Sequence, residues 1–127
     1  RGMTTTITPQ SDPVGGKLVT YTQAAKTRTT ESGVTGAADD IFAVEVINAT
    51  ADAVFLKIFD TVAAVVPGTT APNWVFRVAA NTTLTYACPD ALVVATGISL
   101  FISLDGGTGV AELSGPKGSI VAYLLTV

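Results

Sequence analysis

Two apolar segments, residues 41–47 and 54–59, flank a polar link at 48–52. Both segments are rich in β-branched and aromatic residues, and such a pair around a short polar link predicts a β-hairpin. Successive side chains of a strand point to opposite faces, and here both faces are largely apolar. We therefore expect a second sheet over one face and a loop, an arm or a neighbouring subunit over the other.

The alternation also assigns side chains to faces. In the first segment one face carries Phe42, Val44 and Val46, and the other carries Ile41, Ala43, Glu45 and Ile47. In the second segment Val54, Leu56 and Ile58 oppose Phe55, Lys57 and Phe59. A monomer would expose much of the faces that contain Glu45 and Lys57, which predicts self-association. The residues expected to form the core are Val44, Val46, Leu56, Ile58, Leu100, Ile102 and Leu124.

Further short strands are predicted downstream. They cover residues 74–78, 82–86, 91–95, 98–104 and 119–127, with Gly- and Pro-containing loops between several of them. Residues 60–66 fit either a short helix or another strand, and no segment sustains a helical period. The last strand is expected inside its sheet because it remains apolar to Val127. The sequence thus predicts an all-β fold, with a single β-sandwich or jelly-roll-like domain over residues 39–127.

Residues 1–38 differ from the rest in being rich in Thr, Gly and Pro, and only residues 18–21 resemble a strand. This composition predicts an extended N-terminal arm that is ordered by docking on a partner. The alternative is an ordinary N-terminal strand of the same sandwich, joined to it by a long loop. No apolar leader follows Arg1-Gly2-Met3, so no signal peptide is expected.

Composition argues against several classes of function. Charged residues make up 13% of the 127 residues, against about 25% in typical globular domains. The net charge is −3, and the seven Lys and Arg residues are scattered. Nucleic acids and anionic membranes attract clustered basic residues, so neither is an expected partner. No apolar run approaches the length of a membrane-spanning helix.

The sequence contains few side chains suited to catalysis or metal binding. The chain has no histidine, and its one cysteine, Cys88, has no histidine to act as its base. Cys88 is expected to be a buried or half-buried structural residue. The loop at 105–109 offers one carboxylate, too few for calcium, and it lacks the Lys-Ser/Thr ending of a phosphate-binding loop. The sequence therefore predicts no enzyme activity, no metal site and no cofactor.

Trp74 fits two interpretations. Large aromatic residues are enriched at subunit interfaces, but Phe76 and Val78 share its face of the predicted strand. The shared face favours a core position, and the interface remains the alternative.

The pattern from residue 40 to residue 127 resembles a group of small structural proteins of tailed bacteriophages. The resemblance rests on an Asn-Ala turn at 48–49, the strand 55–60, a Pro-Gly-Thr loop ending in Pro at 67–72, the strand 74–78, and the C-terminal Tyr123-Leu124-Leu125. Proteins of this kind decorate the phage head as cement or serve elsewhere in the virion. The resemblance does not separate head from tail.

The resemblance and the composition together lead to a non-enzymatic capsid decoration (cement) protein. It is expected as a homotrimer on the outer surface of the virion capsid, bound to the major capsid protein at junctions between its subunits. The expected capsid contacts are Thr4, Thr5, Thr6, Ile7, Leu18 and Tyr21. The expected subunit contacts are Ile47, Phe55, Phe59 and Trp74.

Two other functions fit the sequence less well. A receptor- or carbohydrate-binding β-sandwich of a phage tail fibre needs exposed aromatic and polar side chains on loops, and these loops are rich in Thr, Gly and Ala. A glycosidase-like enzyme needs a pair of acids with separated pKa values. The acids of this chain lie mostly at predicted turns, which argues against that chemistry.

Overall fold

A computed structural model describes residues 3–9, 17–23, 38–66, 69–104, 106 and 117–126. These residues form strands and connecting segments, and none of them is helical. The strands are β1 (Met3–Pro9), β2 (Lys17–Gln23), β3 (Ile41–Asn48), β4 (Val54–Asp60), β5 (Trp74–Val78), β6 (Thr82–Leu92), β7 (Ile98–Ser103) and β8 (Ile120–Thr126). The predicted strand 82–86 and the first two residues of the predicted strand 91–95 belong to one long strand, β6, and residues 93–95 lie beyond its end.

The strands form two antiparallel sheets. The larger sheet has the order β1-β2-β8-β3-β6, and the smaller sheet has the order β5-β4-β7. The all-β prediction is confirmed, and the arrangement is that of a β-sandwich. β8 lies between β2 and β3, so the prediction that the last strand is internal is also confirmed.

The core lies between the sheets and receives alternate residues from both. The seven residues that the sequence predicted for the core are all fully buried. Val19, Tyr21, Ile98, Ile120 and Ala122 extend this cluster, and the half-buried Trp74 and Phe76 pack against it. Trp74 therefore contacts the core, as the favoured one of its two interpretations predicted. The burial of this cluster is the main stabilising contribution to the fold.

The predicted hairpin at 41–60 is wrong, because β3 and β4 belong to different sheets. The link at 49–53 crosses from one sheet to the other. Asn48, at the end of β3, is 1% exposed and its amide nitrogen donates to the carbonyl oxygens of Asp52, Val78 and Ala79 at 2.9, 3.3 and 3.0 Å. Its Oδ1 accepts from the backbone nitrogen and hydroxyl of Thr50. The amide supplies hydrogen bonds at a corner where no strand ladder exists.

A β-bulge changes the predicted faces of β3. The register of β3 shifts between Ile41 and Ala43 against both of its neighbours. An extra residue in one strand reverses the alternation beyond it. Ile41 is consequently fully buried together with Val44 and Val46, whereas Phe42 is 36% exposed. The sequence pattern predicts Phe42, and not Ile41, on the same face as Val44 and Val46.

Both faces of β4 are covered, as the sequence indicated. Its inner residues pack against the larger sheet, and on its outer face Phe59 packs with Phe101 and with Val65 of the segment that follows β4. Lys57 on that outer face is also fully buried. The expectation that a monomer would expose Lys57 and Phe59 is therefore wrong, because the chain itself covers them. The segment at 60–66, predicted as helix or strand, continues beyond the end of β4 as irregular structure that provides this cover.

Within residues 1–38, the described segments 3–9 and 17–23 are strands of the larger sheet. β2 pairs along its whole length with β8, and Val19, Tyr21 and Gln23 in it are fully buried. The segment 17–23 is thus part of the sandwich, as the alternative interpretation had it, and its pairing crosses the domain boundary predicted at 38/39. Residues 1–2, 10–16 and 24–37 of the predicted arm lie outside the described residues.

Candidate interaction surfaces

The outer face of the larger sheet is accessible across four neighbouring strands, and we call it the open face. It consists of the outward residues of four strands, all exposed or half-buried: Leu18, Thr20, Thr22, Ala43, Glu45, Ile47, Thr83, Thr85, Ala87, Val121, Tyr123 and Leu125. Glu45 is its one charged residue. The remainder is aliphatic or carries hydroxyl groups.

The strand register arranges the open face in rows that run across the sheet. Thr20, Tyr123, Glu45 and Thr85 stand side by side on β2, β8, β3 and β6. A neighbouring row carries Leu18, Leu125, Ala43 and Ala87. A shallow depression of about 250 Å³ lies between these rows and is lined by residues of both. Such a surface offers apolar contact area and hydroxyl groups to another protein.

A second depression, of about 330 Å³, lies beside Phe55 on the smaller sheet. Arg77 stands opposite Phe55 on the neighbouring strand, and Lys117 forms an ion pair with Asp52 at 3.3 Å. Gly106 lies close to the aromatic ring, since a Cβ at this position would come within 3.0 Å of it. The depression thus combines an aromatic ring with charged groups of both signs.

The predicted capsid contacts occupy different environments. In β1, Thr6 is exposed, Ile7 is 41% exposed, and Thr5 is half-buried with its hydroxyl lacking a hydrogen-bond partner in the structure. Thr4 lies in the same strand, opposite Thr22. Leu18 belongs to the open face. Tyr21 is fully buried, and its hydroxyl donates to Gln23 Oε1 at 2.6 Å, so it is a core residue with no surface to offer a partner.

The predicted subunit contacts are not brought together. Ile47 is 38% exposed on the open face, and Phe55 is half-buried in the depression on the other sheet. Phe59 is 2% exposed and Trp74 packs on the core. Of the four, Phe59 is buried, Phe55 and Trp74 are half-buried on the smaller sheet, and Ile47 is exposed on the larger one.

Several polar residues with structural roles were missed by the sequence reasoning. Gln23 and Asn48 hold the two layers together, and Asp60 fixes the turn before β7 through hydrogen bonds from the backbone nitrogens of Ala95, Thr96 and Gly97. These bonds, with that of Ala95 the largest influence, lower the pKa of Asp60 below its ordinary value of 3.8. The only sequence signal was the place of Asn48 and Asp60 beside predicted strand ends, and Gln23 had none.

The described residues offer neither a metal-binding cluster nor a cysteine with a lowered pKa. They hold no group of three or more His, Cys, Asp or Glu side chains that could bind a metal ion. Cys88 is buried as predicted, and burial raises the pKa of its thiol, which disfavours the reactive thiolate. Among the same residues there is no helix of the length and apolarity needed to cross a membrane.

Comparison with known proteins identifies no relative: no protein family, no curated protein and no solved structure matches this chain.

Proposed function

We propose that this protein is a non-enzymatic decoration (cement) protein of a bacteriophage capsid. The observation that carries the proposal is the open face, a sheet surface with Glu45 as its one charge. Interfaces between proteins are depleted of charge in their central part and are held by close apolar packing with scattered hydrogen bonds. The open face has this composition, and the phage resemblance of residues 40–127 supplies the kind of partner, a major capsid protein.

The size of the open face favours a repeated contact over a single one. Four strands with about five residues each cover roughly 300–400 Å² of flat area. A stable interface commonly uses about 800 Å² on each partner. One copy alone therefore binds weakly, whereas an oligomer that touches several capsid subunits gains avidity. The sequence predicts a homotrimer for this role.

Stabilisation of the head follows from preferential binding. A protein that binds only the assembled lattice stabilises it by mass action, in proportion to its occupancy of the sites. In this proposal the protein lies on the outer surface of the virion and links neighbouring capsid subunits. Its own rigid core transmits the load between them.

The test is the location and copy number of the protein in purified phage particles. Quantitative mass spectrometry and immunogold labelling should find hundreds of copies on the head. Particles that lack the protein should release their DNA at a lower temperature than complete particles. Absence from the head, or equal thermal stability with and without the protein, contradicts the proposal.

A receptor-binding role in a tail fibre is the second candidate, and the depression beside Phe55 favours it. Binding pockets for small ligands combine apolar walls with a few placed polar groups, and Asp52, Arg77 and Lys117 surround this aromatic ring. This role predicts a few copies at the tail tip. It also predicts that Arg77→Ala lowers adsorption to host cells while head stability stays unchanged.

A further inference from the structure

The four edge strands of the sandwich differ in how they are protected. An edge strand presents unpaired backbone N–H and C=O groups that can pair with another chain, and proteins block this with short strands, charges, prolines, bulges or covering groups. The larger sheet ends in β1 and β6, and the smaller sheet ends in β5 and β7. Within the described residues, three of these four edges carry such a feature along their length, and the fourth, β1, carries only a terminal proline.

In the smaller sheet both edges are blocked. At β7 the side-chain amide of Gln23 bonds both backbone groups of Ile102, donating to its oxygen at 2.6 Å and accepting from its nitrogen at 2.9 Å. These are the groups through which a new strand would attach. β5 has five residues, and one of them is the exposed Arg77.

In the larger sheet β6 is interrupted. Its pairing with β3 jumps from Ala87 to Leu92 where the register shifts, and the intervening Pro89 has no N–H to donate. Ala91 has a φ of 62°, which is not an extended conformation. In the first half of β6, the ring of Tyr86 packs against Phe76 of β5 with centroids 5.3 Å apart.

Within the part of the chain that the structure describes, β1 carries no such feature except a proline at its end. Its seven residues pair with β2 without a break, from Met3 opposite Gln23 to Pro9 opposite Lys17. The strand contains no charged residue, and its one proline is the terminal Pro9. Ile7, on the inner side of the sheet, is 41% exposed. β1 is thus an uninterrupted, uncharged edge with an apolar side chain still accessible.

We propose that β1 pairs antiparallel with β1 of a second copy of this chain, about a two-fold axis perpendicular to the sheet. The strand is self-complementary in this arrangement. Opposed residues of a pair point to the same face, and the register that pairs all seven residues sets Thr6 opposite Thr6 of the second copy. Thr5 then stands opposite Ile7, so the exposed Ile7 side chain gains a neighbour on the inner side.

The proposed pairing extends the larger sheet from five strands to ten. A two-fold axis perpendicular to the sheet keeps both open faces on the same side, so the pair presents one surface of twice the area. The pairing does not depend on the decoration role, because it follows from the edge strand alone, and it gives a dimer in place of the homotrimer predicted from the sequence. If the decoration role also holds, the doubled surface approaches the size that a stable interface commonly needs.

Cysteine cross-linking tests the axis directly. Opposed residues of an antiparallel pair have Cα atoms about 4.5–5.5 Å apart, which is within the range of a disulfide. In a Cys88→Ala background, Thr6→Cys should form a covalent dimer under mild oxidation. Val93→Cys, at a side chain 66% exposed and away from β1, is the matched control and should form no covalent dimer. Equal cross-linking of the two variants, or none at Thr6→Cys, overturns the proposal.

A charge at the edge tests the same contact without covalent chemistry. Ile7→Lys should abolish the dimer measured by analytical ultracentrifugation, because an inward charge at an edge strand opposes pairing. Ile47→Lys introduces the same charge at a similarly exposed position of the open face and should leave the dimer intact. If Ile47→Lys dissociates the oligomer and Ile7→Lys does not, the open face is the contact and the edge pairing is refuted. A trimer whose mass is unchanged by Ile7→Lys refutes it as well.

Discussion

The side-chain amide of Gln23 in β2 makes the hydrogen bonds that a backbone would make to Ile102 in β7. Its Nε2 donates to the Ile102 oxygen at 2.6 Å, and its Oε1 accepts from the Ile102 nitrogen at 2.9 Å and from the Tyr21 hydroxyl at 2.6 Å. The two strands belong to different sheets. A fully buried amide therefore joins the two layers at one side of the sandwich. It also provides hydrogen-bond partners for the backbone N–H and C=O groups of Ile102 in an edge strand.

Gln23→Glu should lower the free energy of unfolding at pH 7 by about 3 kcal/mol, since a carboxylate cannot donate to the Ile102 oxygen and is buried as a charge. Burial raises the pKa of an acid, so the variant should regain stability as the pH falls and the introduced group becomes protonated. Urea denaturation at pH 7 and pH 4 measures this. Thr22→Ala, on the open face next in sequence, should change stability little. A variant as stable as the wild type at pH 7 contradicts the role assigned to the amide.

Asn48→Asp tests the corner between the sheets. The substitution preserves the shape and the acceptor that Thr50 uses, but removes the donors to the carbonyl oxygens of Asp52, Val78 and Ala79. We expect a loss on the order of 2–4 kcal/mol, because buried carbonyl groups lose their partners. Thermal unfolding followed by circular dichroism gives the difference.

Asn73→Asp is the control for this measurement. Asn73 is exposed, and its oxygen accepts from the Asp60 nitrogen at 2.8 Å, an interaction that a carboxylate preserves. Equal destabilisation by the two substitutions would show that the added charge, and not the lost donors, is responsible.

Asp60 should make the stability depend on pH in the acid range. The backbone N–H groups of Ala95, Thr96 and Gly97 lower its pKa in the folded state below 3.8. A carboxyl group with a depressed folded pKa stabilises the fold above its unfolded pKa, and this contribution is lost as the pH falls through the folded pKa. Asp60→Asn should therefore reduce stability at pH 6 and have a smaller effect near pH 2.

The control for the charge is Asp90→Asn, which removes an exposed acid from β6. Chemical-shift titration of Asp60 provides an independent check. A midpoint at or above 3.8 would contradict the assigned hydrogen bonds.

Ala91→Gly should stabilise the protein by up to about 1 kcal/mol, because Ala91 has a φ of 62° and a Cβ is unfavourable in that conformation. The matched substitution Ala87→Gly lies in the regular part of the same strand. It should destabilise by roughly 0.5–1 kcal/mol, because glycine has more freedom to lose on folding. Differential scanning calorimetry should show a higher melting temperature for Ala91→Gly and a lower one for Ala87→Gly than for the wild type. The same sign for both would show that the backbone at Ala91 is not strained.

The residue pattern was sufficient to predict the fold class and the core, because alternation in short apolar segments reports burial directly. Val44, Leu56 and Leu100 were placed correctly for this reason. Alternation does not report which strands pair, so the sequence predicts a hairpin from the neighbouring segments of β3 and β4, although they lie in different sheets. The single extra residue of the bulge at 41–43 then exchanged the faces of Ile41 and Phe42.

The candidate surfaces were less predictable. Phe59 and Lys57 were expected on an exposed face, but the segment containing Val65 and the neighbouring Phe101 cover it, and such long-range cover leaves no local pattern. The open face became visible only once β2, β8, β3 and β6 were placed side by side. Its members lie as far apart in sequence as Leu18 and Leu125, so no contiguous motif could indicate it.

The position of β8 in the middle of the larger sheet has a consequence for the order of folding. β2 and β3 each pair with β8, at residues 120–126. A chain still being synthesised can form the contacts of the smaller sheet and the pair β1–β2, but the larger sheet lacks its central strand until those residues emerge. Pairings over such sequence distances are slow to form. Until they form, the unpaired edges of β2 and β3 can promote aggregation. Misassembly and chaperone binding are thus most favoured in the interval before β8 is available for pairing.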